Sequence, residues 1–190
     1  GGGLVYSCGG KGRWKQVLPL LLQRFDNAVL ISTVDMPLNA ARIIYDTVGT
    51  DRLYLDSGGF TLYKDQIKYG KDSAEFHARC ERMRAKFLKL CTIVKPIEYF
   101  ELDNEYFRRD PDPLSPANYC REEAKAILGF YPTPVFKMHQ GFSYWKALCE
   151  SDLYPRLAIG GLAQTRDWDK YRDELIKMMN YARQCGKKVH

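Results

Sequence analysis

Four short polar motifs in this sequence share one position, because each directly follows a run of apolar residues typical of a buried strand. They are Asp56–Phe60, Asp103–Glu105, His139–Gly141 and Gly160–Leu162, in that order along the chain. In parallel α/β folds the active site lies at the carboxyl ends of the strands. We therefore expect these motifs, from four separate strands, to converge on one site.

The chemical groups of these motifs suit a flat, hydrogen-bonding heterocycle. The carboxylates of Asp56 and Asp103 accept hydrogen bonds from ring N–H and amino groups, and the Gln140 amide both donates and accepts. Backbone N–H groups at Gly160 and Gly161 can donate to a carbonyl oxygen. This set matches the edge of a guanine-like base. A Ser-His-Asp triad is disfavoured, since the sequence has no GxSxG motif.

Each motif also has a plainer interpretation. Asp56 could cap the turn at Gly58-Gly59, and paired glycines after a strand often mark only a tight turn. The glycines could instead cradle a phosphate, but neither GxGxxG nor GxxxxGK[ST] is present. His139 has no identifiable partner, and a lone histidine is usually structural. The shared placement of the motifs is therefore a stronger signal than any one residue.

Basic residues follow the first motif closely. Lys64, Lys68 and Lys71 are interleaved with Tyr63 and Tyr69. Lysines contact phosphates and aromatic rings stack on bases, so this stretch is a candidate nucleic-acid contact. The alternative is an ordinary solvated helix face. The chain as a whole has 29 Lys and Arg against 23 Asp and Glu, a net charge of +6.

Alternating strands and helices must position these motifs, and the alternation predicts successive βα units and a parallel sheet. We count six units and the start of a seventh. The strand-like runs are Leu4–Cys8, Ala28–Ser32, Arg52–Leu55, Ile97–Leu102, Val135–Met138, Arg156–Ile159 and Lys187–His190. The main helix candidates are Trp14–Phe25, Leu38–Val48, a helix capped at Asp72, one starting at Ser115, one after Ser143, and Trp168–Cys185.

Composition excludes several classes of protein. With 45% apolar and 27% charged residues the chain is expected to fold rather than to be disordered. No apolar run approaches the length of a transmembrane helix, and no secretory signal is visible. Six cysteines without CxxC spacing favour reduced thiols over a disulfide framework or a metal site. We expect a cytoplasmic protein without membrane contact.

The motifs together resemble those of a known enzyme family. LDSGGF at Leu55–Phe60, ELDNE at Glu101–Glu105, VFKMHQG at Val135–Gly141 and LAIGGLA at Leu157–Ala163 occur in this order. The combination resembles the tRNA-guanine transglycosylase family, with its queuine- and archaeosine-type base exchange and its DNA-modifying deazaguanine branch. The resemblance spans roughly residues 28–190. It implies an α/β fold of the (β/α)8 TIM-barrel type and a pentosyltransferase that exchanges guanine for a 7-deazaguanine in tRNA or DNA.

The resemblance also implies roles for individual residues. Asp56 would be the general acid and base of the exchange, and Asp103 would read the incoming base. The other expected base-binding residues are Ser57, Gln140, Gly160, Gly161 and Leu162. The nucleic acid would contact Lys64, Lys68 and Lys71. No metal ligand and no cofactor are assigned within this chain.

The sequence departs from the family pattern in several places. Asp103-Asn104-Glu105 stands where the family has DE followed by Cys, Thr61 replaces a usual Gln, and His139 occupies a position that is more often apolar or Gln. The family's nucleophilic aspartate and its structural zinc site come later than His190. We therefore expect residues 1–190 to form a single barrel domain, incomplete at its C-terminus, with about six to seven βα units. A full barrel typically needs roughly 250 residues.

Two other functions remain open at this stage. The chain could be a non-catalytic subunit that binds a base or nucleic acid and lacks the nucleophile. It could also be an open α/β sheet enzyme of unrelated chemistry. The expected partners are tRNA or DNA, guanine or a 7-deazaguanine, and a homo- or hetero-oligomeric companion. Zinc would belong to the part of the family fold that lies beyond this sequence.

Overall fold

The apolar runs are rich in β-branched and aromatic residues, which favours strands, and they form parallel strands. The structure is a computed structural model that describes residues 5–8, 16, 20, 28–162 and 167–190, with residues 5–8 described by their backbone. The strands of this part are β1 (Val5–Cys8), β2 (Ala28–Ser32), β3 (Leu53–Asp56), β4 (Glu98–Tyr99), β5 (Val135–Lys137), β6 (Arg156–Gly160) and β7 (Lys188–Val189).

Helices follow most of these strands, as the 3.6-residue apolar periodicity predicts. The described helices are α1 (Leu38–Val48), α2 (Gly59–Tyr69), α3 (Ala74–Ile93), α4 (Arg121–Leu128), α5 (Phe142–Glu150) and α6 (Trp168–Gln184). Short 3-10 turns occupy Thr50–Arg52, Glu105–Phe107 and Met138–Gln140. The helix expected at Trp14–Phe25 lies outside the described residues except for positions 16 and 20.

Three helix starts differ from the sequence prediction, and the helix expected after Ser143 begins one residue before it, at Phe142. The N-cap of α3 is Ser73, not Asp72, because the Ser73 hydroxyl accepts a hydrogen bond from the Phe76 backbone N–H at 3.1 Å. α4 begins at Arg121 rather than near Ser115. The Asn118 side chain bonds backbone groups of the preceding loop at 2.7–3.0 Å, which holds that stretch in turns instead of a helix.

Every strand pair in the described part is parallel, and the strands are ordered in space as they are in the chain. β1, β2, β3 and β4 form one sheet, and β5, β6 and β7 form a second. The register places Ser32 beside Asp56 and Lys137 beside Gly160. The carboxyl ends of neighbouring strands are therefore level, which brings the polar motifs that follow them to the same edge.

The expected (β/α)8 barrel is wrong for this structure. The described residues contain seven strands, split between a four-stranded and a three-stranded sheet, whereas a closed barrel of this type needs eight. Between the two sheets, this part of the chain has an isolated bridge from Phe100 to Thr133. The ladder stops there because the Val135 N–H donates to the Glu101 carboxylate at 2.8 Å rather than to a strand carbonyl.

Apolar side chains of the described residues pack into two buried clusters. The first includes Ile31 of β2 and Phe87 of α3, and it covers the four-stranded sheet. The second includes Phe136 of β5 and Trp145 of α5, where the indole N–H also donates to the Met178 carbonyl at 2.9 Å. Burial of such large side chains contributes most of the favourable free energy of folding. The expectation of a single domain over the whole chain stays a prediction.

Candidate functional site

A cavity of about 280 Å³ opens at the carboxyl ends of the strands, where three of the four polar motifs meet. Its lining includes Asp56 and Asp103 together with four rings, those of Tyr54, Phe60, Phe100 and His190. The His190 ring centroid lies 5.0 Å from that of Phe100 and 6.5 Å from that of Tyr54. Ligand cavities commonly combine aromatic walls with a few polar groups. The volume suits one heterocycle rather than a larger ligand.

Asp56 is the last residue of β3, and its backbone is hydrogen-bonded to the residue that follows the neighbouring strand β2. Its carbonyl accepts hydrogen bonds from the Thr33 backbone N–H at 3.1 Å and the Thr33 hydroxyl at 2.6 Å. Burial and then the negative charge of Asp103 raise the pKa of the Asp56 carboxyl, while the backbone N–H groups of Ser57 and Gly58 lower it. The net shift is upward, so Asp56 holds a proton at higher pH than an exposed aspartate does.

Asp103 lies beyond β4, with 17% of its side chain exposed. The Lys137 ammonium is 3.2 Å from its Oδ2, and the Ser57 hydroxyl is 3.5 Å from its Oδ1. Burial raises the pKa of Asp103 above its ordinary value, while Lys137 and Ser57 act in the opposite direction. The net shift of the Asp103 pKa is upward. The negative charge of Asp103 also raises the pKa of Asp56, so the two carboxyls are coupled.

The glycines after Asp56 allow a close approach of the chain to Asp103. A Cβ atom added at Gly59 would overlap Asp103 Oδ1 and would lie 2.8 Å from its Cγ. Gly58 has a φ of +87°, a conformation that L side chains rarely adopt. The Gly58-Gly59 pair therefore serves a turn and a tight contact at the first motif. Its geometry gives no support to the phosphate cradle that the sequence left open.

The other predicted base-binding residues fall into two groups. Gly160 and Gly161 line the cavity, and a Cβ at Gly160 would lie 2.7 Å from Val135 Cγ1. Ser57 is fully buried, and its hydroxyl accepts the Gly59 N–H at 3.4 Å. Ser57 therefore positions Asp103 and the start of α2. Leu162 is partly buried and is not among the described residues that line the cavity.

Gln140 is placed differently from the sequence expectation. Its side-chain oxygen accepts the Lys137 backbone N–H at 2.9 Å and closes the 3-10 turn after β5. It is not among the described residues that line the cavity. His139 beside it is exposed. The residue of this motif that reaches Asp103 is Lys137, whose ammonium also donates to the Asp103 carbonyl at 2.7 Å.

The predicted nucleic-acid residues form part of an exposed face beside the cavity. Lys64 and Lys68 lie on α2, and Lys71 lies in the turn after it. The Lys64 ammonium is 4.9 Å from the centroid of the Phe60 ring. Phe60 is 52% exposed and lines the cavity, so it connects the cavity to the basic face. Tyr63 and Ile67, with exposures of 44% and 68%, share that face.

A buried ion pair supports the segment that carries Asp103. The Glu101 side chain is 2% exposed and that of Arg121 is 0% exposed, with Oε2 and Nε 2.5 Å apart. Along an extended segment, alternate residues face opposite sides. By that rule Glu101 and Asp103 face the same side of the segment. Each nevertheless pairs with its own cation, Glu101 with Arg121 and Asp103 with Lys137.

Sequence reasoning missed Phe60, Lys137 and His190. Phe60 belongs to the first motif, but its residue type and position alone predict no role for it. Lys137 could have been found from the strand period, because Val135 and Lys137 lie two residues apart on β5 and share one face. His190 gives no such signal, since its place depends on the pairing of β7 with β6.

Comparisons with known proteins add no support to the family resemblance, which therefore depends only on the four sequence motifs. No family model, curated protein or solved structure matches the chain. Among the described residues, no group of three or more His, Cys, Asp and Glu is arranged to hold a metal ion. None of the described helices is both long enough and apolar enough to cross a membrane.

Proposed function

We propose that this chain carries the base-binding and proton-transfer residues of a nucleic-acid guanine transglycosylase, which exchanges guanine for a 7-deazaguanine in tRNA or DNA. One observation carries the proposal: Asp56 and Asp103, from separate motifs, share a cavity of about 280 Å³ with aromatic rings. This arrangement suits a planar base that needs hydrogen-bond acceptors at its edge. We include a cytoplasmic location, which five free cysteines in the described part support.

Asp103 would recognise the base and Asp56 would move protons. An ionised Asp103 accepts from the ring N–H and the exocyclic amino group, while backbone N–H groups at Gly160-Gly161 donate to the carbonyl oxygen. Asp56 has a raised pKa because of burial and the charge of Asp103. A raised pKa favours a group that must both give and take a proton near neutral pH.

The reaction divides into two half-steps that balance in protons. A nucleophile attacks C1′ of the target nucleotide, the bond from C1′ to the base breaks, and the acid form of Asp56 protonates the departing guanine. The Asp56 carboxylate then takes a proton from the incoming deazaguanine, whose ring nitrogen attacks C1′ and releases the nucleophile. The nucleophile is not assigned to any residue of this chain.

The exposed face of α2 would contact the polynucleotide. Lys64, Lys68 and Lys71 supply positive charge, and Phe60 and Tyr63 supply rings for stacking. Since Phe60 also lines the cavity, a strand that follows this face reaches the proposed base site. The basic net charge of the chain favours the same class of partner.

Incorporation of labelled guanine into tRNA and DNA tests this function in the complete protein. Asp56→Asn should lower turnover by about 10²–10⁴-fold, the usual range for loss of a general acid or base. Asp152→Asn, at an exposed turn position, is the matched control and should leave turnover unchanged. Turnover of Asp56→Asn at the wild-type rate would overturn the assignment.

The alternative is a non-catalytic base-binding subunit with the same cavity. It is favoured by one observation: among the described residues, the carboxyls that line the cavity are Asp56 and Asp103, and both already have roles. Denaturing electrophoresis after incubation with tRNA or DNA separates the two functions. A transglycosylase leaves a covalent protein–nucleic-acid adduct, and a binding subunit leaves none.

A further inference from the structure

Lys137 has two contacts with the same residue, and both fix its charge beside the cavity. Its ammonium donates to the Asp103 backbone carbonyl at 2.7 Å and lies 3.2 Å from Asp103 Oδ2. Its own backbone N–H is held by Gln140 at 2.9 Å, and β5 is paired with β6 at Gly160. With 26% of its side chain exposed, Lys137 is held on several sides.

Two acidic side chains lie close to Asp103, so a nearby cation is needed to favour its ionised form. Asp56 faces it from β3, and Glu101 precedes it by two residues, so both neighbours are acidic. The charge of Glu101 is already paired with Arg121. Among the described residues, Lys137 is the cation within ion-pair distance of Asp103. Burial favours a neutral Asp103, and the Lys137 ammonium opposes it.

The protonation state of Asp103 decides what it can bind. An ionised carboxylate only accepts hydrogen bonds, whereas a protonated one presents an O–H donor. The edge of guanine that carries a ring N–H and an amino group presents donors. Resting on the proposed function, we propose that Lys137 is a positioning residue that favours the ionised form of Asp103 as an acceptor for the base.

The backbone contact explains how this cation stays in place when a base binds. The base would draw the Asp103 carboxylate into new hydrogen bonds, and a lysine held by the carboxylate alone could then swing away. The bond to the Asp103 carbonyl holds the ammonium independently of the carboxylate. The positive charge therefore remains next to Asp103 in the free and the base-bound protein.

Carbon-13 NMR titration of the aspartate carboxyls tests the proposal without requiring activity. Lys137→Met removes the charge and keeps much of the side-chain length, and it should shift the titration midpoint of Asp103 upward. Lys137→Arg should restore the midpoint towards that of the wild type. Lys89→Met, at an exposed position of α3, is the matched control and should not move it. An unchanged Asp103 midpoint in Lys137→Met, with the amide spectrum still native, would overturn the proposal.

Calorimetric binding of guanine across pH separates this proposal from the proposed function. Lys137→Met should weaken binding about tenfold at neutral pH, the order expected when an acceptor loses its charge, and less at a pH where Asp103 ionises again. Lys137→Arg should bind close to the wild type. Equal affinity of Lys137→Met and wild type at every pH would overturn the role of Lys137 and leave the base site intact. Absence of binding to wild type would overturn the proposed function, and the NMR midpoints would then decide whether Lys137 holds Asp103 ionised.

Discussion

At the scale of residues, the site depends on two carboxyl groups in unlike surroundings. Burial raises the pKa of both, but a neighbouring negative charge raises that of Asp56 further, whereas a lysine and a serine hydroxyl lower that of Asp103. Pairs of titratable groups whose environments separate their pKa values are typical of acid–base sites. The sequence predicted both aspartates. It did not reveal Lys137 as their partner, because that contact joins segments 34 residues apart.

The raised pKa of Asp56 predicts a specific dependence of stability on pH. The folded state holds this proton more tightly than the unfolded chain does, since burial and Asp103 penalise the charged form. As pH rises from the ordinary aspartate range through the folded-state pKa, the free energy of unfolding should therefore fall. Asp56→Asn should make that fall shallower, as measured by urea denaturation at a series of pH values. Asp152→Asn, at an exposed position, should keep the wild-type dependence, and an equally steep fall in Asp56→Asn would contradict the account.

A substitution at Gly59 distinguishes the close contact with Asp103 from the helix propensity of this position. Gly59→Ala should destabilise the protein by about 1–3 kcal/mol, the range for overpacking, because the new Cβ overlaps the Asp103 carboxylate. In an Asp103→Ala background the same substitution should be neutral or stabilising, since alanine is favoured over glycine in a helix. Urea denaturation of the four proteins gives the coupling free energy. Additive effects would mean that Gly59 and Asp103 do not touch as described.

At the scale of elements, the sequence predicted the positions of the strands better than their lengths. Hydrophobic runs placed strands at all seven expected positions, but the run Ile97–Leu102 yields only the two-residue strand Glu98–Tyr99. The reason is a side chain, because the Glu101 carboxylate takes the Val135 N–H that would continue the ladder. Apolar periodicity carries no information about such a competing acceptor.

The buried pair of Glu101 and Arg121 should be important for stability. Arg121→Met should lower the free energy of unfolding by about 3–5 kcal/mol, because it leaves the Glu101 carboxylate buried without its cation. Adding Glu101→Leu should recover a large part of that loss, although the Val135 N–H then loses its acceptor. Chemical denaturation of both variants measures this. No recovery in the double variant would indicate that Arg121 acts through its loop contacts with Pro113 and Ser115 instead.

The exposed face of α2 predicts an electrostatic contribution to nucleic-acid binding. Lys64→Gln with Lys68→Gln should weaken binding of tRNA or DNA, because fewer phosphates are then neutralised by the protein. The slope of log affinity against log salt should fall by about 0.7–0.9 for each phosphate that is no longer neutralised. Fluorescence anisotropy at several salt concentrations gives both quantities. Lys89→Gln, on the exposed side of α3, is the control, and an unchanged salt slope in the α2 variant would place the nucleic acid elsewhere.

At the scale of the whole molecule, the order of the strands could be predicted and their closure could not. Alternating βα units predict parallel strands in chain order, and the described strands follow that order. Closure depends on how many strands pair and on whether the edges meet. In the described part, one isolated β-bridge joins a four-stranded and a three-stranded sheet. β1 and β7 lie at the outer edges of these sheets. Three of the four polar motifs converge nonetheless, because parallel order alone brings the carboxyl ends together, whereas the His139–Gly141 motif does not line the cavity.

The most direct test of the central claim is calorimetric titration of guanine and 7-deazaguanine into the protein. Wild type should bind both bases, and Asp152→Ala, altered at an exposed position, should bind them equally well. Asp103→Ala should bind at least about tenfold more weakly, because each hydrogen bond to a charged acceptor contributes roughly 1.5–3 kcal/mol. Equal affinity of Asp103→Ala and wild type would contradict the assignment of this cavity to a guanine-type base.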